Sequence, residues 1–376
     1  MATVRADALN NTVTLDPGAK VITQNLVSSV ETTERTTLTQ LAGGLQPLLN
    51  FSNIAPNGNI LYVSSLNPNA SDTLSRADAL GRIDRPFVTI EAAELEAVPG
   101  DKIVMFGNGE NVSYTNTGFI TLVLFGSLGT VNIIDAGNVG VPNYRIESAQ
   151  GEFAMINELK MTANGEMYIT LKGLRINTFT NPYRNQIKFI NCKIGTITDH
   201  GPTAGGQYIF ENCRIDGILG LHGDSNTNSR ILYARDTIFA GSISGIGIGF
   251  ETLLESCHFF SPIILKKEQA GTTTFKDCTV IIDDIDGFLT CGQQVGTGTA
   301  QFIGGFYHLN TSVNTAAKIY KSSGVVNTTV IFDKVTTDVT EPFGSAPGGT
   351  YTEILGTNNT ITQLRPIEDN SGLNDL

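Results

Sequence analysis

The most regular feature of the chain is a six-residue phrase in which apolar positions recur at steps of two, three and two. It reads LKGLRI at 171–176, FINCKI at 189–194, FENCRI at 210–215, YARDTI at 233–238, LESCHF at 254–259, FKDCTV at 275–280, FIGGFY at 302–307 and FDKVTT at 332–337. The first position is large and apolar (Leu171, Phe189, Phe210, Tyr233, Leu254, Phe275, Phe302, Phe332). The fourth is small or apolar in most, including Leu174, Cys192, Cys213, Cys257, Cys278, Gly305 and Val335, and the sixth is apolar from Ile176 to Tyr307. Two residues before the phrase, Ile169, Ile187, Tyr208, Ile231 and Val330 extend the same face. A strand alternates faces at every residue, so a single step of three spends one residue on a corner. The corner falls at position three: Gly173, Asn191, Asn212, Arg235, Ser256, Asp277, Gly304 and Lys334. Gly, Asn and Asp hold five of those eight places, and these residues tolerate a left-handed backbone. Each phrase is therefore predicted to be strand, one-residue bend, strand.

Recurrence every ~21 residues, with extra residues sent to loops, predicts a solenoid. The fold class expected is all-β: a right-handed parallel β-helix of coils of about 21 residues, with a short N-terminal capping helix. Looser segments at 119–161 read as its first coils. Three regions follow: 1–57, free of the phrase and read as an attachment or capping segment; 58–340, the β-helix; and 341–376, a C-terminal cap with an acidic tail. Asp236 falls in an inward slot of YARDTI, which points to a bent register or a hydrogen-bonded polar group.

The segment 60–106 adds a recognisable order. Pro86, Phe87, Thr89, Ile90 and Ala93 precede a Pro99–Gly100–Asp101 turn and Ile103, predicting a helix from Thr89 to about Ala97 and then a strand. This order resembles the start of pectate-lyase-like right-handed parallel β-helices, the fold also found in bacteriophage tail spikes and head or tail fibres. The resemblance implies that the helix closes the open end of the solenoid. The Pro-Gly-Tyr that usually follows is replaced by GNGENVSY at 107–114, so no binding role is carried over for that turn.

Composition narrows the function. The 376 residues carry a formal net charge of -12, which opposes binding along nucleic acid and keeps a repetitive β protein soluble. The longest apolar run, ITLVLF at 120–125, is too short to cross a membrane, and the start MATVRADALNNTVTLDPG lacks the apolar stretch of a signal peptide. The expectation is synthesis in a host cytoplasm, with the five cysteines reduced. Cys192, Cys213, Cys257 and Cys278 then form an inward stack of packing thiols. Disulfides are not expected, because coils ~4.8 Å apart are near the short limit for bridging Cα atoms and the expected compartment is reducing, and a metal is not expected because no CxxC or CxxH pair occurs. Cys291, in LTCGQQ, lies outside the phrase and reads as a loop or strand-end thiol.

Candidate chemistry is sparse. Asp283, Asp284 and Asp286 in VIIDDIDGF could supply paired carboxylates for glycan cleavage, although Asp is also a turn residue. His200, with His222 and Asp224 in LHGD, could stack on adjacent coils as a shallow binding patch. The polygalacturonase-type motif set is absent, no row of Arg or Lys is expected to face the acids, and no cofactor is expected. The resemblance implies a virion structural protein, a tail spike, tail fibre or head fibre subunit. Its N-terminal segment would attach to other virion proteins. Its β-helix, as a homotrimer, would meet a host-surface glycan or another virion protein. A polysaccharide depolymerase on the same fold is the alternative.

Overall fold

The computed structural model describes residues 59–361 apart from 116–119, 135–142, 150–152, 163–166, 182–184, 200–206, 222–230, 247–250, 270–271, 285–286, 296, 311–315, 323–326, 346–350 and 357–358. Its strands pair only in parallel, and each pairs with strands one coil away. Three ladders run side by side along the chain. The first takes the strand before each bend, as in Tyr168–Lys172, Gln186–Ile190 and Gln207–Glu211. The second takes the residues after the bend, as in Lys193–Ile194, Arg214–Ile215 and Ile238–Phe239. The third takes a later stretch of each coil, as in Ile197, Leu219, Ile243 and Ile263. The chain is thus a three-faced parallel β-helix. Pairing continues past the last phrase, since Thr328–Phe332 pairs with Tyr351–Leu355 and Thr336–Thr337 with Thr360–Ile361.

The bends stand where the sequence puts them, with one exception. Gly173, Asn191, Asn212, Ser256, Asp277, Gly304 and Lys334 all have φ between 52° and 66°. In the fourth phrase the left-handed residue is Asp236, at φ 50°, and not Arg235. Phe210 pairs with Ala234, and Ala234 with Leu254, so the phrase begins at Ala234 and reads ARDTIF. Leu232, in register with inward Tyr208, continues the inward face, while Ile231 is in register with Gln207 and Tyr233 with outward Ile209 and Leu253. Bend chemistry outweighs side-chain size at this coil: Asp accepts the left-handed conformation more readily than Arg. The small Ala234 leaves room for Phe239, whose ring meets Phe210 edge-on at 6.3 Å. Thr237 takes the place of a cysteine, its hydroxyl donating to Arg235 O at 2.9 Å.

One continuous core fills the solenoid. Inward phenylalanines stack in register, Phe189 on Phe210, Phe239 on Phe259 and Phe275 on Phe302, with centroids 5.0, 5.0 and 5.1 Å apart. Buried polar groups at one corner satisfy each other. Asn185 Nδ2 donates to Asn181 Oδ1 at 2.8 Å, and Asn181 Nδ2 donates to the Tyr208 hydroxyl at 2.8 Å.

The start of the core is closed by the helix Ile90–Glu96. The Thr89 hydroxyl caps it by accepting from Ala92 N, and Ile90, Ala93 and the preceding Phe87 are fully buried. Glu94 is also buried, and its oxygens accept from Thr115 N at 2.9 and 3.1 Å. Burial pushes the Glu94 carboxyl up to about 7; the Thr115 N–H pulls it down and nearby Glu91 pushes it up again. A raised value in the folded state means that Glu94 favours folding while protonated. That contribution is complete below the ordinary carboxyl value of 4.5 and is lost as pH rises through about 7. The thermal midpoint is therefore expected to fall between pH 5 and pH 8, and Glu94→Gln to flatten that fall.

Candidate functional site

Asp283 and Asp284 follow the strand Thr279–Ile281, where the second ladder ends at a corner. Asp283 is exposed and Asp284 half-buried, and Asp284 O accepts from Gly287 N at 3.2 Å in a turn. Their acidic partner in the sequence, Asp286, lies outside the described residues, as do His200, His222 and Asp224. Whether the carboxylate group or the histidine patch assembles thus turns on residues outside the described ones.

A different pair stands at this corner. Ile281 is in register with His308 on the next coil, and Ile282 N donates to His308 O at 3.0 Å. His308 Nδ1 lies 3.1 Å from Asp338 Oδ2, and Leu309 N donates to Asp338 Oδ1 at 2.9 Å. Asp338 is 7% exposed and His308 8%. An imidazole oriented by a carboxylate is the arrangement used for proton transfer. Here both Asp338 oxygens are engaged within the protein, and the pair staples two coils. The sequence did hold a signal for it: His308 and Asp338 are 30 residues apart, the same interval that separates FIGGFY from FDKVTT.

The cysteine column is structural. Cys192, Cys213, Cys257 and Cys278 are free thiols, each no more than 4% exposed. The Cys257 thiol donates to Glu255 O at 3.3 Å and that of Cys278 to Leu254 O at 3.2 Å. Cys192 N donates to Cys213 Sγ at 3.4 Å, so neighbouring coils are tied through sulfur. Cys291 lies inside the strand Leu289–Val295, in register with Leu265 and Ser322, and not in a loop. We expect an aromatic disulfide reagent to modify at most one of the five thiols until the protein unfolds, when all five react. Fast labelling of two or more in the native protein would contradict this packing.

The chain has no match among protein-family models, curated proteins or solved structures. The outer faces therefore have to be read from their own chemistry. Among the described residues, no three His, Cys, Asp or Glu side chains converge as a metal site would require, and no helix is long and apolar enough to span a membrane. On the outside of the first ladder, one column alternates in charge: Glu211, Arg235, Glu255, Lys276. Lys276 Nζ meets Glu255 at 2.6 Å, and Lys188 meets Glu211 at 2.7 Å. Alternation favours stacking, because opposite charges face each other across each pair of coils. Beside it runs a less polar column: Ile209, Tyr233, Leu253, Thr274, Gln301, Ile331 and Ile354. Leu253 is 37% exposed and Ile354 47%.

Proposed function

We propose that the chain is a structural and recognition subunit of a bacteriophage particle, a tail spike, tail fibre or head fibre component. Residues 1–57 attach it to other virion proteins, and the β-helix projects outward to contact a host-surface glycan or another virion protein. The observation that carries this reading is the unbroken parallel pairing from Ile60 to Ile361, which makes one stiff solenoid. Stacked at ~4.8 Å per coil, it forms a shaft with continuous outer columns suited to repeated contacts. The column through Ile209, Tyr233 and Leu253 gives a homotrimer an apolar strip to bury.

The second reading is a polysaccharide depolymerase. It is favoured by Asp283 and Asp284 standing on the coil next to the His308–Asp338 pair. Glycan hydrolysis needs two carboxyl groups roughly 5–10 Å apart across the bond that is cut.

One experiment separates the two. The purified chain is weighed by mass photometry and then incubated with a panel of bacterial surface polysaccharides. A trimer that leaves every polymer at its original length supports the structural subunit. Shortening of one polymer, abolished by Asp283→Asn with Asp284→Asn, puts the depolymerase first. A stable monomer removes the trimeric fibre.

A further inference from the structure

The outside of the second ladder breaks the charge rule that the first ladder keeps. Arg175, Lys193 and Arg214 occupy one column on three successive coils, each in register with the next. Like charges directly opposite each other across paired strands destabilise the pairing. Asp216 is in ion-pair contact with the column: Arg214 Nε donates to its Oδ1 at 2.5 Å, and Lys193 Nζ lies 3.4 Å from its Oδ2. Among the described residues Arg175 has no acidic partner, and it is exposed. Three cations stacked on successive coils repel one another locally, which stability of the ladder alone does not require.

The flanks of the column are hydrogen-bonding and low. On the bend side, Asn212 Nδ2 donates to Asn191 Oδ1 at 2.9 Å, and both side chains are exposed. On the other side, Asn177 Nδ2 donates to Asn157 Oδ1 at 3.2 Å. There the corner continues as Gly195 and Gly217. A Cβ at Gly195 would strike Asn177 O and one at Gly217 would strike Gly195 O, so this edge carries no side chain. The result is a shallow strip running along the solenoid axis, cationic down its middle and bordered by amides and bare backbone.

We propose that this strip binds a linear polymer carrying oxyanion groups, laid along the axis with Arg175, Lys193 and Arg214 each facing an anion. Arg175 offers a planar fork that matches phosphate, sulfate or carboxylate oxygens, Lys193 offers a point charge beside it, and Arg214, held by Asp216 through Nε, extends the positive column. The flanking amides can donate to and accept from the polymer backbone. The net charge of -12 on the whole chain opposes a wide polyanion such as duplex DNA. The proposal is independent of whether the chain belongs to a virion.

The test is calorimetric titration of the full chain with long-chain inorganic polyphosphate, at salt between about 50 and about 200 mM. We expect saturable binding that weakens at least threefold or so in Arg175→Gln, with the slope of log affinity against log salt shrinking by about 0.7 per cation removed. Lys276→Gln, in the alternating column, should bind as the parent does. Arg175→Glu should abolish binding and yet raise the thermal midpoint at low salt, because it restores alternation beside Lys193. That rise separates lost recognition from lost folding. The proposal falls if polyphosphate does not bind, or if Arg175→Gln binds as tightly as the parent. It also falls if inorganic phosphate binds as tightly as the polymer, or if duplex DNA competes equally.

Discussion

Phe275→Ala is expected to lower the stability of the β-helix by about 3–5 kcal/mol, the range for truncating a fully buried aromatic ring. Phe275 is fully buried and touches rings on both neighbouring coils. It stacks on Phe302 at 5.1 Å with 5° between planes, and meets Phe288 and Phe259 edge-on at 5.1 and 6.0 Å. The loss combines buried apolar area, the cavity left behind and ring–ring terms of about 0.5–1.5 kcal/mol each. A stacked fold cannot collapse around the hole, because the ladder hydrogen bonds fix the distance between coils. Urea unfolding followed by circular dichroism measures the effect. Thr274→Ala, one residue away on the outside, loses a hydroxyl contact with Gln301 at 3.2 Å and is expected to cost about 0.5 kcal/mol or less. Equal losses in the two variants would mean that inward and outward residues are exchanged. Because coils contact only their neighbours, the variant should also make unfolding less cooperative, with the C-terminal coils lost first.

The second large effect is expected at Asp101, in the turn that leads from the capping helix into the sheet. Asp101 is 2% exposed. Arg76 Nη2 donates to its Oδ1 at 3.0 Å, Arg76 Nη1 engages Oδ2, and Val98 N donates to Oδ2 at 2.8 Å. Arg76 is tied in turn to the end of the helix, its backbone N–H donating to Glu96 Oε2 at 2.7 Å. Asp101→Ala leaves the Val98 N–H without its acceptor and the Arg76 guanidinium, 23% exposed, with only Glu96 O at 3.2 Å, and breaking a largely buried pair in this way costs up to about 3–5 kcal/mol. Replacing both partners with apolar residues, Arg76→Met with Asp101→Leu, should recover most of that loss. Thermal unfolding of the three variants checks it. A double variant as unstable as Asp101→Ala would show that the pair holds the cap in place by more than its own charge balance.

Both predictions rest on features that differ in how far the sequence reveals them. The repeated phrase, seven of its eight bends, the inward cysteines and the helix capped by Thr89 could all be read from residue order, because hydrophobic period and turn chemistry are local properties. The bend at Asp236 was legible too, but size pointed to Tyr233 while backbone preference pointed one residue on. The buried cluster of Ala234 and Phe239 decides between them, and that is a packing fact. Cys291 could not be placed because its strand belongs to the third ladder, which has no repeated phrase of its own. Of the candidate chemistry, Asp283 and Asp284 were visible as residues, and His308 with Asp338 and the column of Arg175, Lys193 and Arg214 share phrase positions on successive coils. Phrase position says which residues are neighbours, whereas contact, exposure and pairing with carboxylates such as Asp216 depend on how the side chains pack. The sequence by itself determined that the chain coils, where seven of the eight phrases bend and which side of them faces in. The stacking register, fixed by hydrogen bonds between coils, decided which outward charges alternate and which collect into one cationic strip.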